Sequence, residues 1–148
     1  MRVLDSISAI LKQKGGQVWF ISPEATVYEG LQMMADQEIG ALVVTDAGKI
    51  VGILSERDYA RKVVLQGRSS QETKVREVMN SPAIAVEPDC SVNEAMCIMT
   101  ERRVRHLPIM GQDGRVLGIV SLGDLVKWII TSHESTIEQL QSYISGPS

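Results

Sequence analysis

Gly52-Ile53-Leu54-Ser55-Glu56-Arg57-Asp58 and Gly118-Ile119-Val120-Ser121-Leu122-Gly123-Asp124 decide how this chain reads. The same order of glycine, two aliphatics, serine and, three residues on, aspartate stands twice, 66 positions apart (118 less 52). Self-similarity at a fixed offset is the mark of an internal duplication. Upstream, Glu24-Ala25-Thr26-Val27-Tyr28-Glu29 follows Pro23, and Asp89-Cys90-Ser91-Val92-Asn93-Glu94 follows Pro88 at an offset of 65 (91 less 26). The added residue falls in a turn, where Thr45-Asp46-Ala47-Gly48 becomes Met110-Gly111-Gln112-Asp113-Gly114. Turns accept insertions without loss of register.

Each copy predicts the same elements. A short apolar strand, Val18-Trp19-Phe20-Ile21 or Ala83-Ile84-Ala85-Val86, ends at a proline-containing turn. Thr26-x-x-Glu29 and Ser91-x-x-Glu94 then read as capping boxes that open a helix. Its apolar positions, Val27, Leu31 and Met34 or Val92, Met96 and Met99, have the spacing of one buried face. Next comes a hairpin, Ala41–Val44 and Ile50–Leu54 around Asp46-Ala47-Gly48, or Leu107–Ile109 and Val116–Val120 around Asp113-Gly114. Ser55 or Ser121 opens a second helix, striped by Tyr59, Ala60, Val63 and Val64 or by Leu125, Val126, Ile129 and Ile130. The repeats span about 17–65 and 82–130, with 67–74 as a connecting loop and 75–79 as a short helical turn. Flanking helices are expected over about 3–14, from Val3, Leu4, Ile7, Ile10 and Leu11, and about 123–144, with Ile137, Leu140 and Ile144 in the last. A unit of ~50 residues buries too little surface to be comfortably stable alone. Two related by a pseudo-twofold can cover each other's sheets, so 1–148 is expected to form a single module of the α+β class.

Composition narrows the function. The 148 residues include 15 Lys+Arg and 18 Asp+Glu, a formal charge of −3, with 44% apolar and 22% charged residues. These proportions exclude disordered and collagen-like classes. No basic excess marks a nucleic-acid partner, and no apolar run approaches the ~18 residues of a membrane span. Cys90 and Cys97 form neither a disulfide framework nor a zinc pattern, which makes a reducing, cytoplasmic setting the expectation. Met1–Gly16 carries Asp5, Lys12 and Lys14 in an amphipathic pattern and does not read as a signal peptide. His106 and His133 are the two histidines, and no nucleophile, phosphate-loop or zincin motif accompanies them. Enzymatic activity is therefore not expected.

The duplicated Gly-h-h-Ser-x-x-Asp, each copy following a hairpin and opening a helix, resembles a tandem pair of cystathionine-β-synthase (CBS) domains, the Bateman module. The resemblance covers nearly the whole chain. It implies two β-α-β-β-α repeats, adenine nucleotides or related adenosyl ligands in clefts between them, and assembly into flat homodimers. AMP, ATP, NAD and S-adenosylmethionine fit equally at this point. No catalytic cofactor is implied; the action would be regulatory, on a separate and unidentified protein. The alternative is a ligand-free scaffold that works through dimerisation and protein interaction.

The residues accord with those implications. Asp58 and Asp124 stand in the first turn of helices, where a carboxylate can accept both hydroxyls of a ribose. Ser55 and Ser121, with the free N–H groups of the same turns, are placed to donate to phosphate. Gly40-Ala41, Val18-Trp19-Phe20 and Pro82 to Ala85, including Ile84, are small or apolar segments fit for an adenine slot, a placement that leans on the resemblance. Ser-x-x-Asp is equally an ordinary helix cap. Arg105-His106 replaces Gly40-Ala41 in the second copy, suggesting a more basic cleft at Asp124, clefts of different preference, or a solvated strand start. Arg57, Arg61, Lys62 and Arg68 form a basic cluster that is either a surface face or, through Arg57 and Arg61, a phosphate contact. Trp19 is expected to stack on a base or to join the core. Cys97 reads as a packed or half-exposed small residue.

Overall fold

The computed structural model describes residues 5–132. In chain order these form α1 (Ile7–Lys14), β1 (Phe20–Ile21), α2 (Val27–Gln37), β2 (Ala41–Asp46), β3 (Lys49–Ser55), α3 (Glu56–Tyr59) running into a π-helical turn (Ala60–Val64), and α4 (Val75–Val78). Then follow α5 (Val92–Arg102), β4 (His106–Met110), β5 (Val116–Ser121) and α6 (Leu122–Ser132). Val3, Leu4, His133, Ile137, Leu140 and Ile144 lie outside the described residues.

Local chemistry accounts for the main boundaries. Thr26 Oγ1 accepts the Glu29 N–H at 3.1 Å and the Glu29 carboxylate reaches back to the Thr26 N–H at 3.4 Å, a complete capping box at the start of α2. At α5 half of the expected box is present: Ser91 Oγ accepts from the Glu94 N–H at 3.0 Å. Ala47 and Gly48 both have positive φ, 53° and 79°, the geometry of a two-residue turn that matches strand twist. On α2 and α5 the buried faces are Val27, Gly30 and Met34, and Val92, Ala95 and Met99. Leu31 and Met96 are only partly buried, because the small Gly30 and Ala95 let these helices lie close on their sheets.

The first sheet has the order β1-β2-β3, with β1 parallel and β3 antiparallel to β2. The second has β4 and β5 only. Two expected strands are thus shorter than the sequence indicates. Phe20-Ile21 alone pairs in the first repeat, and in the second Ala83 to Ala85 form no ladder, leaving the single parallel bridge Val86 to Ile109. Pro82 has no N–H to give, and alanines offer a pleated surface little to pack. The stripe on α3 also ends early. Leu65 N–H bonds the Ala60 carbonyl, five residues back, and this wider turn swings Val64 out to 52% exposure. On α6, Leu125 is buried while Val126 and Ile130 face solvent.

Among the described residues, three apolar clusters organise the interior. One joins α2 to the first sheet, another joins α5 to the second, and a third, Ala41, Val43 and Ile53 with Val18, Ala83, Val116 and Ile119, lies where the sheets meet. The connecting helices cross over. Ile7 and Ile10 of α1 are buried in the second repeat's core, and Val75 and Val78 of α4 in the first's. Backbone bonds repeat this exchange, Ile7 N–H to Cys90 C=O and Val75 N–H to Ala25 C=O, both at 2.8 Å. Each repeat is therefore completed by a helix that lies outside its own strand–helix run.

Candidate functional site

β3 ends at Ser55, and the chain turns directly into α3. Ser55 Oγ accepts the Asp58 N–H at 3.3 Å, while Asp58 Oδ2 accepts the Ser55 N–H at 2.9 Å and its hydroxyl at 3.0 Å. The Asp58 carboxylate is 5% exposed. Its Oδ1 accepts from Asn80 Nδ2 at 3.1 Å and faces Lys62 Nζ at 3.4 Å. Ser-x-x-Asp is thus a reciprocal helix cap, and both Ser55 and Asp58 line a cavity of about 390 Å³. The same cavity is walled by Gly40, by Pro82, Ala83 and Ile84, and by Arg57, Arg61, Lys62, Arg103 and Arg105. Among the described residues Arg57, Arg61, Arg103 and Arg105 make no ion pair. Burial, then the neighbouring charges of Arg105 and Arg61, lower the Arg57 pKa against the pull of Asp58.

At the end of β5 the cap recurs. Ser121 Oγ accepts the Asp124 N–H at 3.1 Å, and Asp124 Oδ2 accepts the Ser121 N–H at 2.8 Å. The same Oδ2 takes Lys14 Nζ, from the end of α1, at 2.6 Å; that ammonium also donates to the Ile119 carbonyl at 2.8 Å. Burial raises the Asp124 pKa, but the bonds from Lys14 and from Ser121 outweigh it and hold the carboxyl below the usual carboxylate value. Val18, Trp19, Gly40, Ala41 and Ser121 line a cavity of about 270 Å³ between the repeats. Asp124 opens instead onto a smaller space of about 190 Å³ between α1 and α6.

Most of the expected site residues are gathered in these two clefts. Two are not: Asp124 lines only the smaller space between α1 and α6, and Phe20 is 45% exposed and lines neither cleft, since alternation along β1 sends Ile21 into the core and Phe20 outward. Of the alternatives for Arg105-His106, the more basic Asp124 cleft is not the one found. Arginines cluster at Asp58, where Arg57 and Arg61 follow from its own helix and Arg103 and Arg105 are added because the start of β4 faces the first repeat's helix start. His106 reaches both clefts, and burial, with Lys14 and Arg105 nearby, lowers its pKa against the pull of Asp124 and Asp58. Trp19 lines the Asp124-side cleft and packs on the first core.

Asn80, Lys14 and Arg103 escaped the sequence reading. They lie outside the duplicated motif, and only the exchange of α1 and α4 and the crossing of the strand starts bring them to the clefts. Cys97 is exposed rather than packed. Burial and the adjacent Glu94 push the Cys90 thiol up to about 11, so it stays protonated at neutral pH. Among the described residues no group of three His, Cys, Asp or Glu side chains is placed to hold a metal, and no helix is long and apolar enough to cross a membrane.

Comparison with known proteins agrees with this architecture. The family model for the CBS domain matches residues 16–65 and again 75–131. The CBS domain-containing protein CBSX3, mitochondrial, of Arabidopsis thaliana is 38% identical over 150 residues, covering 95% of this chain and 72% of the relative. CBS domain-containing protein YhcV of Bacillus subtilis is 38% identical over 109 residues, 74% of this chain and 76% of its own length. Among solved structures, a protein with CBS domains from Burkholderia ambifaria superposes with a TM-score of 0.80 at 45% identity, covering 86% of this chain and 95% of the other. The CBS-domain containing protein of Agrobacterium tumefaciens gives 0.75 at 35%, covering 82% and 96%. With the domain model matched twice and relatives at this identity, the chain belongs to the CBS-domain family.

Proposed function

We propose that this protein is a regulatory sensor of phosphate-bearing adenosyl ligands, with ATP favoured, held in the Asp58 cleft. The observation that carries this reading is the convergence, on a single cavity between the repeats, of one buried carboxylate and four arginines that make no ion pair among the described residues. A ribose diol supplies two donors to the carboxylate, displacing Asn80 and Lys62. A phosphate chain answers Arg57, Arg61, Arg103 and Arg105, whose forked donors match phosphate oxygens. Pro82 to Ile84 and Gly40 flank the space for a base. S-adenosylmethionine, net cationic and with one carboxylate in place of a phosphate chain, answers four arginines less fully. Because the cavity walls come from both repeats, a bound ligand ties them together. It biases the partner-binding state only by its differential affinity for the two arrangements.

Thermal unfolding with AMP, ADP, ATP, NAD, NADH and S-adenosylmethionine tests this. A ligand at 100 times its dissociation constant adds about 2.7 kcal/mol. The reading expects the largest rise in Tm with ATP, lost in Asp58→Asn and reduced in Arg57→Ala. A rise with S-adenosylmethionine alone would overturn the phosphate preference.

A second reading, a ligand-free interaction scaffold, draws on the exposed Val64, Leu65, Val126 and Ile130. No Tm rise with any compound, together with an intact homodimer, would favour it.

A further inference from the structure

The two clefts share a plan but differ at their carboxylates. Asp58 lines the inter-repeat cavity beside it, whereas Asp124 does not line the cavity bounded by Val18, Trp19, Ala41 and Ser121. Lys14 borders that cavity and also the smaller one onto which Asp124 opens, so it stands as the wall between them. Its ammonium is fixed at both ends of its reach, on Asp124 Oδ2 at 2.6 Å and on the Ile119 carbonyl at 2.8 Å. Ile119 precedes the Ser121 cap by two residues, so the cation bridges the strand end and the helix start that would otherwise receive a ligand.

The seat of α1 is built to deliver this side chain. A Cβ at Gly118 would collide with Leu11 of α1, and one at Gly16 would stand 2.7 Å from the Leu117 carbonyl oxygen. Helix and following chain therefore lie directly on β5: the Leu11 side chain could turn aside from a Cβ at Gly118, but the backbone approach at Gly16 leaves no room for one. In the first repeat the matching close approach, over Gly52, is made by Met79 and Asn80. There the group that reaches the carboxylate is a neutral amide, Asn80 Nδ2, with the Lys62 ammonium at a looser 3.4 Å.

We infer that Lys14 fills, from within the chain, the ribose-acceptor position of the Asp124 cleft, so that each chain takes up one adenosyl ligand, at Asp58, and a second only when Lys14 is withdrawn. This rests on the adenosyl-ligand reading above. A diol approaching Asp124 competes with a cation already bonded to the oxygen it needs, and Lys14 closes the route from the inter-repeat cavity. The contact is half exposed, at 38% and 26% for the two side chains, so it is exchangeable rather than permanent. Movement of α1 would open the cleft, making Lys14 the residue that sets how many ligands bind.

Calorimetric titration of ATP, and separately of AMP, into the full chain tests the inference. Wild type is expected to bind one equivalent per chain and Lys14→Met two. Lys14→Gln serves as a second variant with a neutral polar side chain and the same expected gain. Asp58→Asn should bind none, and Lys14→Met/Asp58→Asn one. Two sites in the wild type, or one site retained in both Lys14 variants, would overturn the inference and leave the Asp58 reading standing. Absence of binding in wild type and Lys14 variants alike would overturn the adenosyl-ligand reading and this inference together.

Discussion

Asp58 and Asp124 close the same kind of helix cap with unequal consequences. The Asp58 carboxylate is buried and serves Ser55, Asn80 and Lys62, so removing it strands several donors. Asp58→Ala is expected to cost about 2 kcal/mol in urea unfolding without ligand, whereas Asp124→Ala, at a wetter position, should cost about 1 kcal/mol or less. Equal losses would show that burial at Asp58 carries no extra weight. His106 adds a pH dependence of known sign. Its pKa is lowered in the fold by burial, then by Lys14 and Arg105, so the unfolded chain binds the proton more readily. Stability should therefore fall as pH drops through the ordinary imidazole value of about 6.5 and level off below the lowered folded value. His106→Asn should flatten that limb of the curve, and an unchanged slope would assign it to another group.

Among the elements, β3 and β5 each carry a glycine three residues before the cap serine, and the two glycines face different obstacles. A Cβ at Gly52 would lie 2.7 Å from the Asn80 carbonyl oxygen, which belongs to the backbone bridge between Ile53 and Asn80. At Gly118 the obstacle is the end of the Leu11 side chain, which can turn aside. Gly52→Ala is thus expected to destabilise by about 2–3 kcal/mol and Gly118→Ala by about 1 kcal/mol, measured by thermal unfolding. The reverse order would mean that α1, not the chain after α4, is the tighter packing partner. These glycines also show what was legible from sequence. The duplicated motif announced both helix starts and both hairpins because caps and turns are local chemistry. It was silent on Met79, Asn80 and Leu11 lying over the glycines, since the exchange of α1 and α4 between repeats is a long-range choice. The lost strand at Ala83 to Ala85 and the π-turn after Tyr59 were hidden for a related reason: apolar spacing marks a face but not whether backbone partners reach it.

At the scale of the whole molecule, a chain of net charge −3 gathers four arginines in one cleft and holds several large apolar side chains on its surface. These features make separable demands on solvent. Nucleotide binding at the arginine cleft should weaken as salt is raised, because ions screen the charges that attract phosphate. Association through apolar surface should resist salt. Val126 and Ile130 stand one turn apart on α6, 41% and 57% exposed, bordering a shallow cavity of about 600 Å³. Spacing of four residues puts both on one helix face, and covering such a face by a second copy stabilises by about 1.5–3 kcal/mol for each side chain fully buried. The homodimer reading therefore expects Val126→Glu/Ile130→Glu to weaken self-association by ~100-fold or more in sedimentation equilibrium, while ATP binding at Asp58, on the other repeat's helix, persists. If the double variant stays as dimeric as the wild type, α6 is not the joining surface; if it loses ATP binding along with the dimer, the Asp58 cleft depends on the second copy.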